Sequence, residues 1–565
     1  SHFGSSRFGS RRRRARAPTL ARLPQAMSNE LVRIGSPRLA GPLTDMLVRL
    51  VRRTPWIPWS VVLRRTGLAV AAGLAGGAII LRVFLERMYA SVMALPPTAK
   101  QLEQEDQDAN PLWRVLPALR GKLAWRQLGD FPTPVHRFSL SLSKQAGDVE
   151  FWVKREDLSS ARYGGNKVRT LQYQLACWEA HLERSGKHGC GLKLLTLGSG
   201  GSNQVLATKV HAAFLPLPAD TVEGIHPMPD EPEMDNTLNF LSSLSVPGLS
   251  GGYNTGGLRL LAALGLPPLA SDSGSGTAAW VMMPGGNGPL GVLGQAGAAL
   301  ELAEQIERGE VPDPDGIVVA LGSSCTVTGL LLGVVLARHA GLRAFRRPGF
   351  QIYAQPVHPG AVRLQRLFGL LTSQSLPLSI GRGIREASAL IARLGGPDVA
   401  EEALAAMHEL LVLSLDRSIS GKYGAHSGAS RAAKARYDEA ARPPPGSPHL
   451  WLCGHFTAKS FALLLKLLEE DLQQSGRRRR LLFWQTKSSV QPRGGLDEWG
   501  AWQEQRHKHA GLAKWGMIGG VTGHPGAVGS CCGAGDEMRA VEGPEDYRRW
   551  MTSVQFPPAK PQPAS

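Results

Sequence analysis

Four glycine-rich turns, each followed by a helical pattern, hold the residues of this 565-residue chain best suited to chemistry. In the first, Tyr163-Gly164-Gly165-Asn166-Lys167-Val168-Arg169, a lysine stands at the mouth of the turn, shortly after the charged run Lys154-Arg155-Glu156-Asp157. A lysine that attacks carbonyls must be partly desolvated and free of ordinary salt bridges, so that its amine is neutral often enough to react. Two glycines let the backbone approach a planar cofactor at φ angles other residues avoid. On this heptapeptide alone, a surface turn with a solvated Lys167 is an equal reading, because Gly and Asn are ordinary turn residues.

The other turns add acceptors and donors for an anion. Gly198-Ser199-Gly200-Gly201-Ser202-Asn203-Gln204 follows the apolar run Leu192–Leu197 and precedes a helical pattern from Val205 to about Ala213. It places backbone N–H groups and the Ser202, Asn203 and Gln204 side chains in one anion-friendly concavity, with a plain strand–helix connection as the alternative. Pro284–Gly291 lies between the strand pattern Trp280–Met283 and a helix from Val292 to Ile306. Gly322-Ser323-Ser324-Cys325-Thr326-Val327-Thr328-Gly329 follows the strand pattern Gly316–Leu321 and precedes a helix from Leu330 to Arg338. Hydroxyls and amides at a helix N-terminus suit a phosphate dianion. The loop lacks GxxxxGK[ST] and is not a Walker nucleotide loop.

These turns need rigid elements behind them. Val149–Lys154 alternates like a strand, and Lys167–His181 has apolar residues at helical spacing, which puts Lys167 on a first turn where the dipole disfavours its ammonium form. Phe350–Ala354 and Arg480–Thr486 complete the strand patterns, and two further helical stretches are expected at Thr237–Leu244 and Leu258–Leu264. Strand–helix alternation of this kind implies a parallel sheet covered on both faces, with ligands at the strand C-terminal ends.

The net charge of +18 sits largely in the N-terminal arm and in Arg477–Arg480, without an aromatic-interleaved basic stripe, which argues against nucleic-acid binding. The six cysteines show neither CxxC pairs nor zinc-ligand spacing, so no metal and no disulfide framework is expected, and a reducing compartment is the default. Residues 1–65 are basic and acid-poor, the composition of an organelle-targeting peptide or of a disordered arm. Thr66–Leu81 is uncharged but shorter than the roughly 20 residues of a bilayer-spanning helix, and extending it to Leu85 through Arg82 makes a membrane anchor a minority reading. Residues 66–122 therefore read as an apolar segment and a linker, 123–490 as the catalytic body with a smaller subdomain over about 170–305, and 491–565 as a tail of unknown role.

Taken in order, WVKREDL…YGGNKVR, GSGGSNQ, PGGNGPLGVLG, VVALGSSCTVTGL, GKYG and FTAKSFALL resemble the D-cysteine desulfhydrase / 1-aminocyclopropane-1-carboxylate (ACC) deaminase family, over roughly residues 123–490. The resemblance implies an α/β, tryptophan synthase β-like, type II fold, with two open twisted parallel-sheet subdomains and pyridoxal 5′-phosphate between them. It implies that Lys167 carries the cofactor and shuttles the substrate proton, that Asn203 bonds the cofactor's phenolic oxygen, and that Gly322, Ser323, Cys325, Thr326 and Thr328 cradle its phosphate. Ser202 and Gln204 then contact the substrate carboxylate or relay a proton, Tyr423 flanks the ring, and a small amino acid is the substrate of a homodimer.

Two departures bear on substrate. The family's DPVYTGK reads CGHFTAK here, so Phe456 lacks a hydroxyl implicated in opening the cyclopropane ring, and its HTGG reads Gln485-Thr486-Lys487-Ser488. Thr457 stands where ACC deaminases place a glutamate beside the pyridine nitrogen and desulfhydrases a threonine. A neutral partner there favours β-elimination, with D-cysteine giving pyruvate, ammonia and hydrogen sulfide. ACC deamination, D-serine-type dehydration and a cofactor-binding protein without lyase activity are the alternatives.

Overall fold

The structure is a computed structural model that describes residues 83, 86–90, 92–143, 147–186, 192–198, 202–218, 221–225, 279–358, 379–421, 424–454, 456–474, 478–488, 491–492 and 551–552. All of these lie in the compact unit Ile79–Ser565. The apolar run 66–81, the stretches Thr237–Leu244 and Leu258–Leu264, and Tyr423 fall outside the described residues.

Among the described residues, ten strands form two sheets. The larger has the order β8-β7-β6-β10-β2-β1-β9, built from β1 (Val135–Ser143), β2 (Gly147–Lys154), β6 (Gly316–Leu321), β7 (Gln351–Pro356), β8 (Leu411–Leu413), β9 (Ala441–Arg442) and β10 (Leu481–Trp484). Its five strands from β8 to β2 are parallel, and β1 and β9 extend it antiparallel. The smaller sheet, β4 (Val222–Ile225), β3 (Lys193–Leu197) and β5 (Ala279–Met282), is all parallel. Residues 491–492 separately pair with 551–552.

Parallel strands buried on both faces must be apolar throughout, which is why they read as continuous runs rather than alternating ones. Along β6, Ile317, Val319 and Leu321 enter one hydrophobic cluster while Val318 enters a second on the opposite face. Strand β10 divides in the same way, with Leu482 and Trp484 on one side and Leu481 and Phe483 on the other.

Six helices matter to the site: α1 (Lys167–Arg184), α2 (Asn203–Ala213), α3 (Pro289–Glu307), α4 (Cys325–His339), α5 (Ile380–Arg393) and α6 (Thr457–Gln473). Three of them begin earlier than expected, since α2 starts at Asn203, α3 at Pro289 and α4 at Cys325. The turn residues themselves thus form the first helical turns, and their backbone N–H groups are the unsatisfied ones.

The segment read as a linker, 93–122, is instead packed into the main core. Leu112 and Leu119 are fully buried and Trp113 is 1% exposed. The acidic residues of this segment belong to ordered elements: Glu103 lies in the helix Ala99–Gln104, Asp108 in the 3₁₀ turn Gln107–Ala109, and Glu105 pairs with Arg126 at 2.9 Å.

Helices α3 and α4 cross at small residues. A Cβ on Gly329 would sit 2.2 Å from the Cβ of Gln295 and 2.8 Å from the Val292 carbonyl oxygen. Gln295 is held in place, because its Nε2 donates to Asn166 O at 2.6 Å and to Thr170 Oγ1 at 3.0 Å. Gly329→Ala is therefore expected to destabilise the fold by about 1–3 kcal/mol, read as a lowered urea midpoint at unchanged slope.

Candidate active site

The C-terminal ends of β3, β5 and β6 converge on a cavity of about 420 Å³ lined by residues from all four glycine turns. Strand ends supply this position because each strand hands over to a helix whose N-terminus faces the same space.

Lys167 opens α1 and lies in the cavity wall, where its Nζ donates to the Gly285 carbonyl at 3.0 Å. Burial holds its pKa below the ordinary lysine value, opposed by the Cys325 thiol. Among the described residues no carboxylate pairs with it. The turn before it is fixed from behind. Gly165 has φ +98°, and a Cβ there would lie 2.8 Å from the Thr486 carbonyl oxygen, so only glycine fits. Asn166 N donates to that same oxygen at 3.2 Å, and Gly164 N donates to Ser488 Oγ at 3.1 Å.

Deeper behind Lys167, the charged run takes part in a buried ion network. Glu301 on α3 accepts from Lys154 Nζ at 2.6 Å and from Arg169 at 2.7 Å, while Arg169 also binds Glu156 at 2.7 Å. These side chains are at most 2% exposed. The network therefore pairs these buried charges with one another.

Opposite Lys167, Gly322, Ser323, Cys325 and Thr326 line the cavity at the head of α4. Ser324, the N-cap of α4, adopts φ +68°, a left-handed conformation uncommon for a non-glycine residue. Two asparagines brace this loop. Asn287 Nδ2 donates to Ser323 O at 2.6 Å and to Ser324 Oγ at 3.0 Å, and Asn166 Nδ2 donates to Thr326 Oγ1 at 2.7 Å. Neither was singled out in the sequence, although each directly follows a Gly-Gly pair. Thr328 is not brought to the cavity, because its hydroxyl donates to Ser324 O at 2.9 Å within its own helix.

Ser202, Asn203 and Gln204 all line the cavity at the start of α2. Tyr163 Oη donates to Asn203 Oδ1 at 2.9 Å, which orients that amide. Gln204 Nε2 is directed to Thr208 Oγ1 at 3.3 Å, and its Oε1 is buried with no hydrogen-bond partner in the protein. A buried acceptor of that kind is a place for a ligand donor.

Phe456 also lines the cavity, its ring edge 3.2 Å from where a Gly322 Cβ would be. Thr457 does not reach the wall. It is fully buried, donates to Trp451 O at 3.0 Å and accepts from Cys453 N at 2.8 Å, so its hydroxyl is consumed at the head of α6. No Asp or Glu stands among the described lining residues.

The residues present fit pyridoxal phosphate by their chemistry. There is a desolvated amine for the aldehyde, a helix N-terminus with serine, cysteine and threonine for the phosphate, and an oriented asparagine amide for the ring oxygen.

A sequence model of the family described as pyridoxal-phosphate dependent enzyme matches residues 126–444, over half of the chain. The mitochondrial bifunctional D-cysteine desulfhydrase/1-aminocyclopropane-1-carboxylate deaminase of Arabidopsis thaliana is 29% identical over 276 residues, covering 46% of this chain and 63% of that protein. The D-cysteine desulfhydrase of Serratia proteamaculans is 32% identical over 213 residues, covering 36% of this chain and 57% of that protein. The chain thus spans 57–63% of the length of these two curated relatives. A solved structure described as an ACC deaminase homologue is 22% identical, with a TM-score of 0.43, covering 67% of this chain and 94% of that one.

Proposed function

The chain belongs to the pyridoxal-phosphate-dependent enzymes, and on that footing we propose that it is a lyase acting on a small β-substituted amino acid, with D-cysteine as its substrate. The overall reaction consumes water: the Cα–H and Cβ–S bonds break, sulfur leaves as hydrogen sulfide, and the remaining carbon skeleton is released as pyruvate and ammonia. When bound, the cofactor withdraws electrons from the substrate's α-carbon, which is what makes that C–H bond acidic.

The residues supply the rest. Lys167 is placed to anchor the cofactor and, once displaced by substrate, to take the α-proton at Nζ as a general base. Its burial lowers its pKa, which favours the neutral amine this role needs. The head of α4 would hold the phosphate through amides and hydroxyls, and Asn203 would bond the ring oxygen. Ser202 and Gln204 receive the substrate's polar groups, Gln204 through its unpartnered Oε1.

The observation that carries this reading is the desolvated Lys167 amine facing a helix N-terminus built for phosphate, with no carboxylate among the described lining residues. The described lining residues supply no acid to protonate the ring nitrogen, and an unprotonated ring nitrogen would be a weaker electron sink, which suits β-elimination better than opening of a cyclopropane ring. Phe456 in the wall points the same way, because it offers no phenolic proton.

Purified holoprotein is expected to release pyruvate and sulfide from D-cysteine in equal amounts, with slower turnover of D-serine and none of 1-aminocyclopropane-1-carboxylate. A visible cofactor band with no pyruvate from any β-substituted amino acid would instead support a binding protein without lyase activity.

The same reading includes an organellar location and a homodimer. The acid-poor basic segment 1–65 and the mitochondrial address in the name of the Arabidopsis relative support the first, which a fluorescent fusion tests. Light scattering tests the second. Among the described residues no helix is long and apolar enough to cross a membrane.

A further inference from the structure

Helix α2 is tied along its length to the two residues that lead into the lysine turn. At its head, Asn203 Oδ1 accepts from Tyr163 Oη at 2.9 Å. About two turns further on, His211 Nε2 donates to the Tyr163 carbonyl at 2.9 Å. Just past its end, the Arg162 guanidinium lies 3.9 Å from the Phe214 ring centroid. Tyr163 and His211 are both buried, so the two hydrogen bonds are made away from water.

His211 is not the side chain that packing alone would select. Its Nε2 carries the proton that the Tyr163 carbonyl accepts, and its Nδ1 is then a buried acceptor with no hydrogen-bond partner in the protein. An orphaned acceptor costs about as much as a single neutral hydrogen bond contributes, so an apolar side chain would serve the core better. Burial, opposed by the bond to Tyr163, pushes the ring's pKa down to about 4, and the bond at neutral pH is between uncharged groups.

What the bond does fix is a relative placement. Tyr163 lies four positions before Lys167, on a turn braced from the large sheet by Thr486 O and Ser488 Oγ. Helix α2 packs on β3 and β4 of the smaller sheet, and Ser202, Asn203 and Gln204 at its start line the cavity. The residues leading to the lysine are thus held to the large sheet on one side and to α2 on the other.

We infer that His211 is a positioning residue for the substrate: through the Tyr163 carbonyl it sets where Ser202 and Gln204 stand relative to Lys167, and it acts on substrate binding rather than on the chemical step. This rests on the lyase reading given above, in which Ser202 and Gln204 receive the substrate's polar groups. Lys167 and the head of α4 have their own supports in Gly285 O, Asn166 and Asn287, so cofactor loading does not depend on His211.

The test is steady-state kinetics on D-cysteine with holoprotein, alongside a urea titration. His211→Leu removes the donor at similar volume and is expected to raise KM about tenfold, the scale of one lost hydrogen bond, with kcat changed less than about twofold and the visible band retained. His211→Gln puts an amide donor close to the place of Nε2 and is expected to bring KM back to within about threefold of wild type. If His211→Leu does not fold, His211→Asn, whose amide is too short to reach the carbonyl, takes its place against His211→Gln. A loaded donor-less variant with the wild-type KM would overturn the inference, whatever its urea midpoint, because His211 would then be only a support. Equal rises in KM for His211→Gln and the donor-less variant would also overturn it, since packing rather than the bond would be responsible. A wild-type holoprotein that releases no pyruvate from any β-substituted amino acid would overturn the lyase reading itself, and this inference with it.

Discussion

Lys167→Ala is expected to abolish the visible band of the purified protein and to lower pyruvate production from D-cysteine at least about a thousandfold, because the variant loses both anchor and base. It is also expected to melt no lower than the wild-type protein when both are stripped of cofactor. The wild-type amine is desolvated and makes one bond, to Gly285 O, so alanine on the first turn of α1 removes a buried polar group rather than a support. A large activity loss together with lost stability would assign Lys167 a structural role and sink the assignment.

Glu301→Ala is expected to be the most destabilising single change in the buried network, by about 3–5 kcal/mol. Glu301 accepts from Lys154 Nζ, from Arg169 and from Thr133 N at 2.9 Å, and removing it leaves two buried cations short of partners. Glu301→Gln should be milder, because it retains shape and one acceptor. Chemical denaturation of the three proteins reads this order. Burial alone would raise the Glu301 pKa, but Arg169 and Lys154 outweigh it and hold it at about 2. The carboxylate's contribution is thus complete above its ordinary value of 4.5 and is lost as pH falls from there toward 2. Wild-type stability is expected to drop more steeply across that window than that of Glu301→Gln. Equal slopes would show that Glu301 does not carry the network.

The elements nearest the chemistry were the most legible in the sequence. Lys167, Ser202, Asn203, Gln204, Ser323, Cys325 and Thr326 all reach one cavity, because a glycine turn between strand and helix leaves little freedom in where its residues face. Thr328 and Thr457 were grouped with them by motif, yet both hydroxyls bond inside the head of a helix. A threonine at such a position can serve backbone or ligand, and the sequence does not distinguish the two. Glu301 carried no local signal, because it meets Lys154 across 147 positions and its role arises only when the sheet closes. The stretch from Met93 to about Arg120 reads as a linker because Glu103, Glu105, Asp106 and Asp108 make it polar, while the apolar residues that bury it follow in short helical turns.

The place of β10 in the sheet has a consequence for how the protein is made. It is the last strand of the large sheet in sequence, yet it pairs with β2 on one side and β6 on the other. While the ribosome is still upstream of residue 481, the nascent chain holds two half-sheets with open edges and no strand to join them. The residues that brace the lysine turn, Thr486 and Ser488, emerge immediately afterwards. Reactive-site assembly is therefore coupled to synthesis of the segment 481–488, and a chain terminated before it would carry Lys167 without a geometry in which to use it.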